Sequence, residues 1–222
     1  MSNDSPPTTG SLSVPRARSL ALRPSNALVT RGLRDIAQFG NRARAEELVI
    51  LGDAYRKKSD YDKAIWYYTR AIEVDPEYGI AYFQRGYTNA RWFSRRDAIA
   101  DYTEFIRLDP NDAEAYFNRG YNYEMWMGND MSLAIADYTE AIRLDPQMVH
   151  AYYRRAEAYR RKKGDYDRAI ADFTEVIRLD PKNSFAYHGR GLAYQKKGDL
   201  KKAQSDFAEA ERLWAEDEEM RP

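Results

Sequence analysis

The sequence contains no cysteine and only two histidines, His150 and His188. The first absence removes disulfides, thiolate metal sites and cysteine nucleophiles together. The second leaves too few imidazoles for a histidine-rich metal centre. Long apolar runs are missing too. No stretch approaches the roughly 18 residues of a membrane span, and a mean hydropathy of -0.79 predicts a soluble chain. Net charge is zero, from 35 basic and 35 acidic side chains, but the balance is uneven. Residues 1–44 hold seven arginines against Asp4 and Asp35, a surplus of five, so the rest of the chain carries a deficit of five. A mildly acidic body lacks the basic face of a nucleic-acid binder.

What the chain has in abundance is repetition. Ala-Ile-Ala-Asp-Tyr-Thr-Glu-Phe-Ile-Arg-Leu-Asp-Pro at 98–110 returns at 134–146 with Ala141 for Phe105. It returns again at 169–181 with Phe173 and Val176, and more loosely at 64–76. Pro76, Pro110, Pro146 and Pro181 close successive units at separations of 34, 36 and 35 residues. Aligned on them, the body divides into 45–78, 79–112, 113–148, 149–183 and 184–217, followed by a tail over 218–222. Each unit shows a small residue in its first half (Gly52, Gly86, Gly120, Ala156, Gly191). A second small residue follows in the other half (Ala64, Ala98, Ala134, Ala169, Ala203), with an aromatic four places on (Tyr68, Tyr102, Tyr138, Phe173, Phe207). Small residues at helical spacing let two helices approach closely. Asp60, Asp165 and Asp199 are placed to cap second helices, and each proline forces the Asp before it out of helical geometry.

Residues 1–44 are expected to form a flexible basic segment, with a short helix over 29–39 that Gly40 ends. Being rich in Arg and Ser and poor in acid, this segment also fits an organelle transit peptide or a non-classical secretion signal. Cytoplasmic location is the expectation, with import or secretion as the alternative.

The unit landmarks resemble the tetratricopeptide repeat, a 34-residue helix–turn–helix. The resemblance covers 45 to about 217 and departs from the pattern at its first landmark, Leu48 or Tyr here instead of Trp, and at its second, Arg in four units. It implies an all-α right-handed α-solenoid of antiparallel helix pairs and an interaction scaffold that binds a peptide or helix of a protein partner. It gives no reason to expect catalysis, a cofactor or a metal. In proteins of this kind the first helices line a concave groove through their second, fifth, ninth and twelfth residues. Carried over, that nominates an aromatic ladder of Phe83, Tyr87, Phe117, Tyr121 and Tyr153, flanked by Gln84, Asn118, His150 and Arg154. The family's carboxylate clamp for chaperone C-termini needs lysines where this chain has Phe83 and His150, so that partner is disfavoured. Single-stranded RNA stacking on the same rings is the alternative function, opposed by the acidic body.

Two patterns are internal to the sequence. Units two to five carry Arg85, Arg119, Arg155 and Arg190, and the same four carry Asp101, Asp137, Asp172 and Asp206, while unit one has Leu51 and Tyr67. Arg–Asp bridges inside each unit are therefore expected. Units one to four also repeat Ile at two places seven apart, whereas unit five has Gln204 and Glu211 there. A polar face on the last unit is what ends an array in water.

Overall fold

The computed structural model describes residues 26–127, 131–161 and 164–219. The expectations for residues 1–25, flexible tail or targeting signal, lie outside them. Ten helices and no strand occur among the described residues. In chain order they are α1 (Asn26–Lys57), α2 (Tyr61–Val74), α3 (Gly79–Trp92), α4 (Arg95–Leu108) and α5 (Ala113–Met127). Then come α6 (Ser132–Leu144), α7 (Val149–Arg161), α8 (Tyr166–Leu179), α9 (Ser184–Lys197) and α10 (Leu200–Glu219). The chain divides after Ala37 into an N-terminal segment and a body from Gln38, and the packing below is that of the body. It is an all-α solenoid of antiparallel helix pairs. No described helix is long and apolar enough to cross a membrane.

The stops are set by proline chemistry. Asp75, Asp109, Asp145 and Asp180 all leave the helix with φ between -139° and -129°, because the ring that follows excludes helical backbone. Each carboxylate then accepts the backbone N–H two residues on, at 2.9 to 3.3 Å. Starts are set by caps. Asp60 and Asp199 accept from the N–H groups of Lys63 and Lys202 at 3.3 Å. Asp165 sits at the same place without a side-chain cap bond.

Two helices run further than their sequence suggests. α1 passes through Gly40 instead of ending there. A Cβ at Gly40 would meet nothing within 4 Å, so the glycine costs only about 1 kcal/mol of helix propensity. Tertiary contacts around it offset that: Ala45 and Val49 are buried, and Arg42 pairs with the buried Asp75 at 2.5 Å. At the other end α10 continues past the unit boundary at 217 to Glu219, with Arg212 bonded to both Glu209 and Glu216 along its exposed face.

Ser59, two residues past the end of α1, has φ 62°, in the left-handed region that glycine fills at Gly164 and Gly198 after α7 and α9. Relief of about 1–2 kcal/mol of strain, less glycine's extra unfolded-state entropy of about 0.4–1 kcal/mol, makes Ser59→Gly mildly stabilising. Its thermal midpoint is expected to rise by a few degrees; an unchanged or lower midpoint would show that the serine is unstrained.

Within a pair, the helices close over the small residues. A Cβ at Gly52 would stand 2.5 Å from the Tyr68 ring, and one at Gly120 would stand 3.0 Å from Asp137. Ala64, Ala98, Ala134 and Ala169 on the facing helices have no exposed surface.

The four expected bridges are present, Arg85–Asp101 at 2.6 Å and Arg119–Asp137, Arg155–Asp172 and Arg190–Asp206 each at 2.8 Å. Each guanidinium does more than join its own pair. It also donates to a threonine on the preceding second helix, Thr69, Thr103, Thr139 or Thr174, at 3.0 to 3.3 Å. It lies over its own unit's tyrosine as well, Tyr82, Tyr116, Tyr152 or Tyr187, at 5.6 to 5.8 Å from the ring centre. One side chain thus sets register both within a unit and between units. Burial pushes the carboxyls of Asp101 and Asp137 above their ordinary range against the opposing pull of the arginines. Desolvation therefore offsets much of the ion-pair attraction, and the bridges act more through geometry than through net stability.

Candidate functional site

The first helices of successive pairs touch, α3 against α5, α5 against α7 and α7 against α9. They form a continuous inner layer, while each second helix packs between its own first helix and the next. Side chains on the free face of α3, α5 and α7 therefore share one groove.

The aromatic ladder divides by position. The rings at the fifth place turn toward the second helix of their own unit. Phe83 meets Tyr102 and Phe105 edge-on, with centroids 5.5 and 5.2 Å away. Phe117 lies 5.7 Å from Tyr138 and 4.6 Å from His150, and Tyr153 is 5.8 Å from Phe173. These three help to hold the helices together. The rings at the ninth place, Tyr87 and Tyr121, look into the groove, with Arg56 over the first at 5.5 Å and Arg154 over the second at 4.8 Å.

A cavity of about 400 Å³ opens at that point. It brings together Tyr87, Phe117, Asn118, Tyr121 and Arg154 from the expected set. It also has walls that the helix positions did not indicate, among them Arg91, Arg95, Tyr102 and Asn122. The signal for it was in the sequence. Ala90 stands at the twelfth place of its helix, where the other units carry Arg56, Glu124, Arg160 and Gln195, and the missing side chain leaves the space. His150 and Tyr153 line a second cavity with Val149, Asn183 and Phe185. Phe83 and Gln84 line neither.

Polar groups at the back of the groove are paired with one another in units one and three. The Tyr68 hydroxyl donates to Asp53 at 2.8 Å and accepts from Arg56 at 3.3 Å. Burial and the adjacent carboxylate push this phenol up to about 12. Tyr138 donates to the buried Glu124 at 2.7 Å, which also accepts from Arg161 at 3.1 Å and has Arg154 3.8 Å away. Burial raises the Tyr102 and Tyr138 phenols as well. All three are therefore neutral hydrogen-bonding groups at physiological pH. Among the described residues no group of three or more acidic or histidine side chains is placed to hold a metal.

The chain is similar to several solved structures. A crystal structure of MamA is 30% identical with a TM-score of 0.72, over 76% of this chain and 96% of that one. MamA 41-end from Desulfovibrio magneticus RS-1 is 18% identical with a TM-score of 0.71, over 78% and 96%. YrrB, described as a TPR protein with an unusual peptide-binding site, is 18% identical with a TM-score of 0.70, over 83% and 91%. These last two likenesses show the fold alone. No curated protein sequence matches the chain. Profiles described as TPR repeat match residues 52–91 and 160–198, and those described as Tetratricopeptide repeat match 113–148 and 186–213. The proline-stopped helix pairs, their close contacts over glycine and alanine, and these matches lead to one conclusion: the chain belongs to the tetratricopeptide-repeat family.

Proposed function

We propose that this protein is a non-catalytic interaction scaffold that binds an extended peptide segment of a partner in the groove of α3, α5 and α7. The observation that carries this reading is the single cavity in which two outward-facing rings, Tyr87 and Tyr121, meet the Asn118 amide and the Arg154 guanidinium. Rings with few rotatable bonds supply contact area at low entropic cost, and an amide and a guanidinium supply directional bonds to peptide carbonyls and carboxylates. Chaperone C-termini remain disfavoured, because Phe83 and His150 supply no ammonium groups to a clamp. Single-stranded RNA is not adopted, since no observation outweighs the acidic body.

Retention of peptides from a random phage-displayed library tests the reading. The double change Tyr87→Ala/Tyr121→Ala is expected to weaken retention at least about 30-fold, or about 2 kcal/mol, with little change in unfolding midpoint because both rings face the groove. Equal retention by the double variant would remove these rings from the site. Phe117→Ala is a poor substitute, because that ring packs on Tyr138 and His150 and its loss costs core stability as well.

A further inference from the structure

Three second helices present a tyrosine at the same place, and two of the three hydroxyls are answered by a carboxylate from their own unit. Tyr68 has Asp53, with Arg56 3.3 Å from that carboxylate. Tyr138 has Glu124, with Arg161 3.1 Å from it. Tyr102 breaks the series. The places of Asp53 and Arg56 are taken in its unit by Tyr87 and Ala90. The Tyr102 side chain is 1% exposed, and its hydroxyl, which makes no hydrogen bond to a described residue, is not among the fully buried unpaired atoms and so opens to the cavity.

One fully buried orphan lines the same cavity. Asn122, also 1% exposed, donates through Nδ2 to the Asn118 carbonyl at 2.8 Å. That bond fixes the orientation of the amide, and its Oδ1 is left without a partner among the described residues. Buried polar atoms are nearly always satisfied, so this exception calls for a ligand, a water or an ion. Arg91, Arg95 and Arg154 line the cavity and no carboxylate does, although Arg154 also has Glu124 3.8 Å away and the Glu114 and Asp101 carboxylates act on Tyr102 from outside the lining. Units one and three thus show the completed arrangement of tyrosine, carboxylate and guanidinium, and unit two shows it with the carboxylate missing.

We propose that the cavity is a subsite for an acidic side chain, Asp or Glu, of the bound peptide, an inference that rests on the groove reading above. The incoming carboxylate takes the role that Asp53 and Glu124 play beside Tyr68 and Tyr138. It accepts from the Tyr102 hydroxyl and is neutralised by the arginines that line the cavity. A peptide N–H beside it answers Asn122 Oδ1. Charge-assisted bonds of this kind are stronger than neutral ones, and the arginine rim steers acidic segments toward the groove.

The test uses the full-length protein and an array of acetylated, amidated nonapeptide pools, random at eight positions and fixed at the fifth as Glu, Asp, Gln, Asn or Ala. Retention of the Glu or Asp pools at least about tenfold above the Gln and Asn pools is the expected result. Tyr102→Phe should reduce that preference severalfold without unfolding the array, since Phe173 and Phe207 hold the same place in units four and five. Arg91→Gln/Arg95→Gln should reduce it further while the Gln pools keep their affinity. Equal retention of Glu and Gln pools, with both still lost in Tyr87→Ala/Tyr121→Ala, overturns the carboxylate subsite and leaves the groove reading standing. A gain seen only when the amidated C-terminus is replaced by a free acid overturns the side-chain assignment in favour of a chain end. No retention of any pool overturns both.

Discussion

Arg119→Ala is expected to lower the unfolding free energy by on the order of 3 kcal/mol, more than Arg85→Ala does. The difference lies in what each aspartate has left. Asp101 keeps a second donor, the Asn89 amide at 3.2 Å. At the place of Asn89 the third unit has Tyr123, and the Asp137 side chain, 8% exposed, then has no other side-chain donor among the described residues. The loss should also depend on pH. Burial already holds the Asp137 carboxyl above its ordinary value while Arg119 pulls it down, so removing the arginine raises it further. In this variant the folded state binds a proton more tightly than the unfolded chain. Stability relative to wild type is therefore retained at pH below the unfolded carboxyl value of about 3.9 and lost as pH rises toward the folded value. Denaturant titrations of both proteins at pH 4.5 and pH 7.5 should show the larger deficit at the higher pH. A double-mutant cycle with Asp137→Ala isolates the pair. A coupling below about 0.5 kcal/mol would mean that the bridge carries no interaction of its own.

Those bridges were legible because absence and presence coincide. Unit one lacks both the arginine and the aspartate, so only pairing within a unit leaves no residue unmatched. The same reasoning applied to threonine would have exposed the other half of the network. Thr69, Thr103, Thr139 and Thr174 occupy units one to four, and Ala208 stands in unit five. A threonine is therefore present wherever a following unit supplies an arginine, which is the contact the structure shows. Helix starts and stops were readable from Asp-Pro and the caps, because those are local steric and hydrogen-bonding effects. The passage of α1 through Gly40 was not, because burial of Ala45 and Val49 and the Arg42–Asp75 pair are tertiary effects that override a propensity of about 1 kcal/mol.

The groove was legible in part, for a geometric reason. Helical position places Phe83, Phe117 and Tyr153 on the inner side, but not how near the second-helix aromatic comes. Across a glycine or alanine contact it comes close enough for Tyr102, Tyr138 and Phe173 to pack against those rings. Tyr87 and Tyr121, one helical turn further on, escape that contact. Tyr102 was read as scaffold because it occupies a core place, and Asn122 stands at no landmark of its unit. Only the pattern of partners shows otherwise, with two tyrosines of the series satisfied and the third left open.

A chain ending at Asn183 is expected to self-associate and to unfold at lower denaturant. In the intact protein Ala186 and Ala193 of α9 are fully buried against Phe173 and Val176, with Ile170 and Ile177 packed on the same cluster. Removing α9 and α10 re-exposes apolar side chains worth about 1.5–3 kcal/mol each when buried, so a loss on the order of 5 kcal/mol follows from two or three of them. The face left behind is the one that ends the array in polar form on α10, where Gln204 and Glu211 are exposed. Copying that polarity onto the shortened chain separates the two consequences. Ile170→Gln/Ile177→Glu in the truncated protein should restore a monomer by sedimentation velocity yet leave the lost stability unrecovered, because a polar face stops association without replacing the missing contacts. A truncated chain that is already monomeric at high micromolar concentration would show that the polar end of α10 is incidental. If the charged variant still associates, the interface lies on another face of α8, and the terminal unit contributes burial rather than solubility.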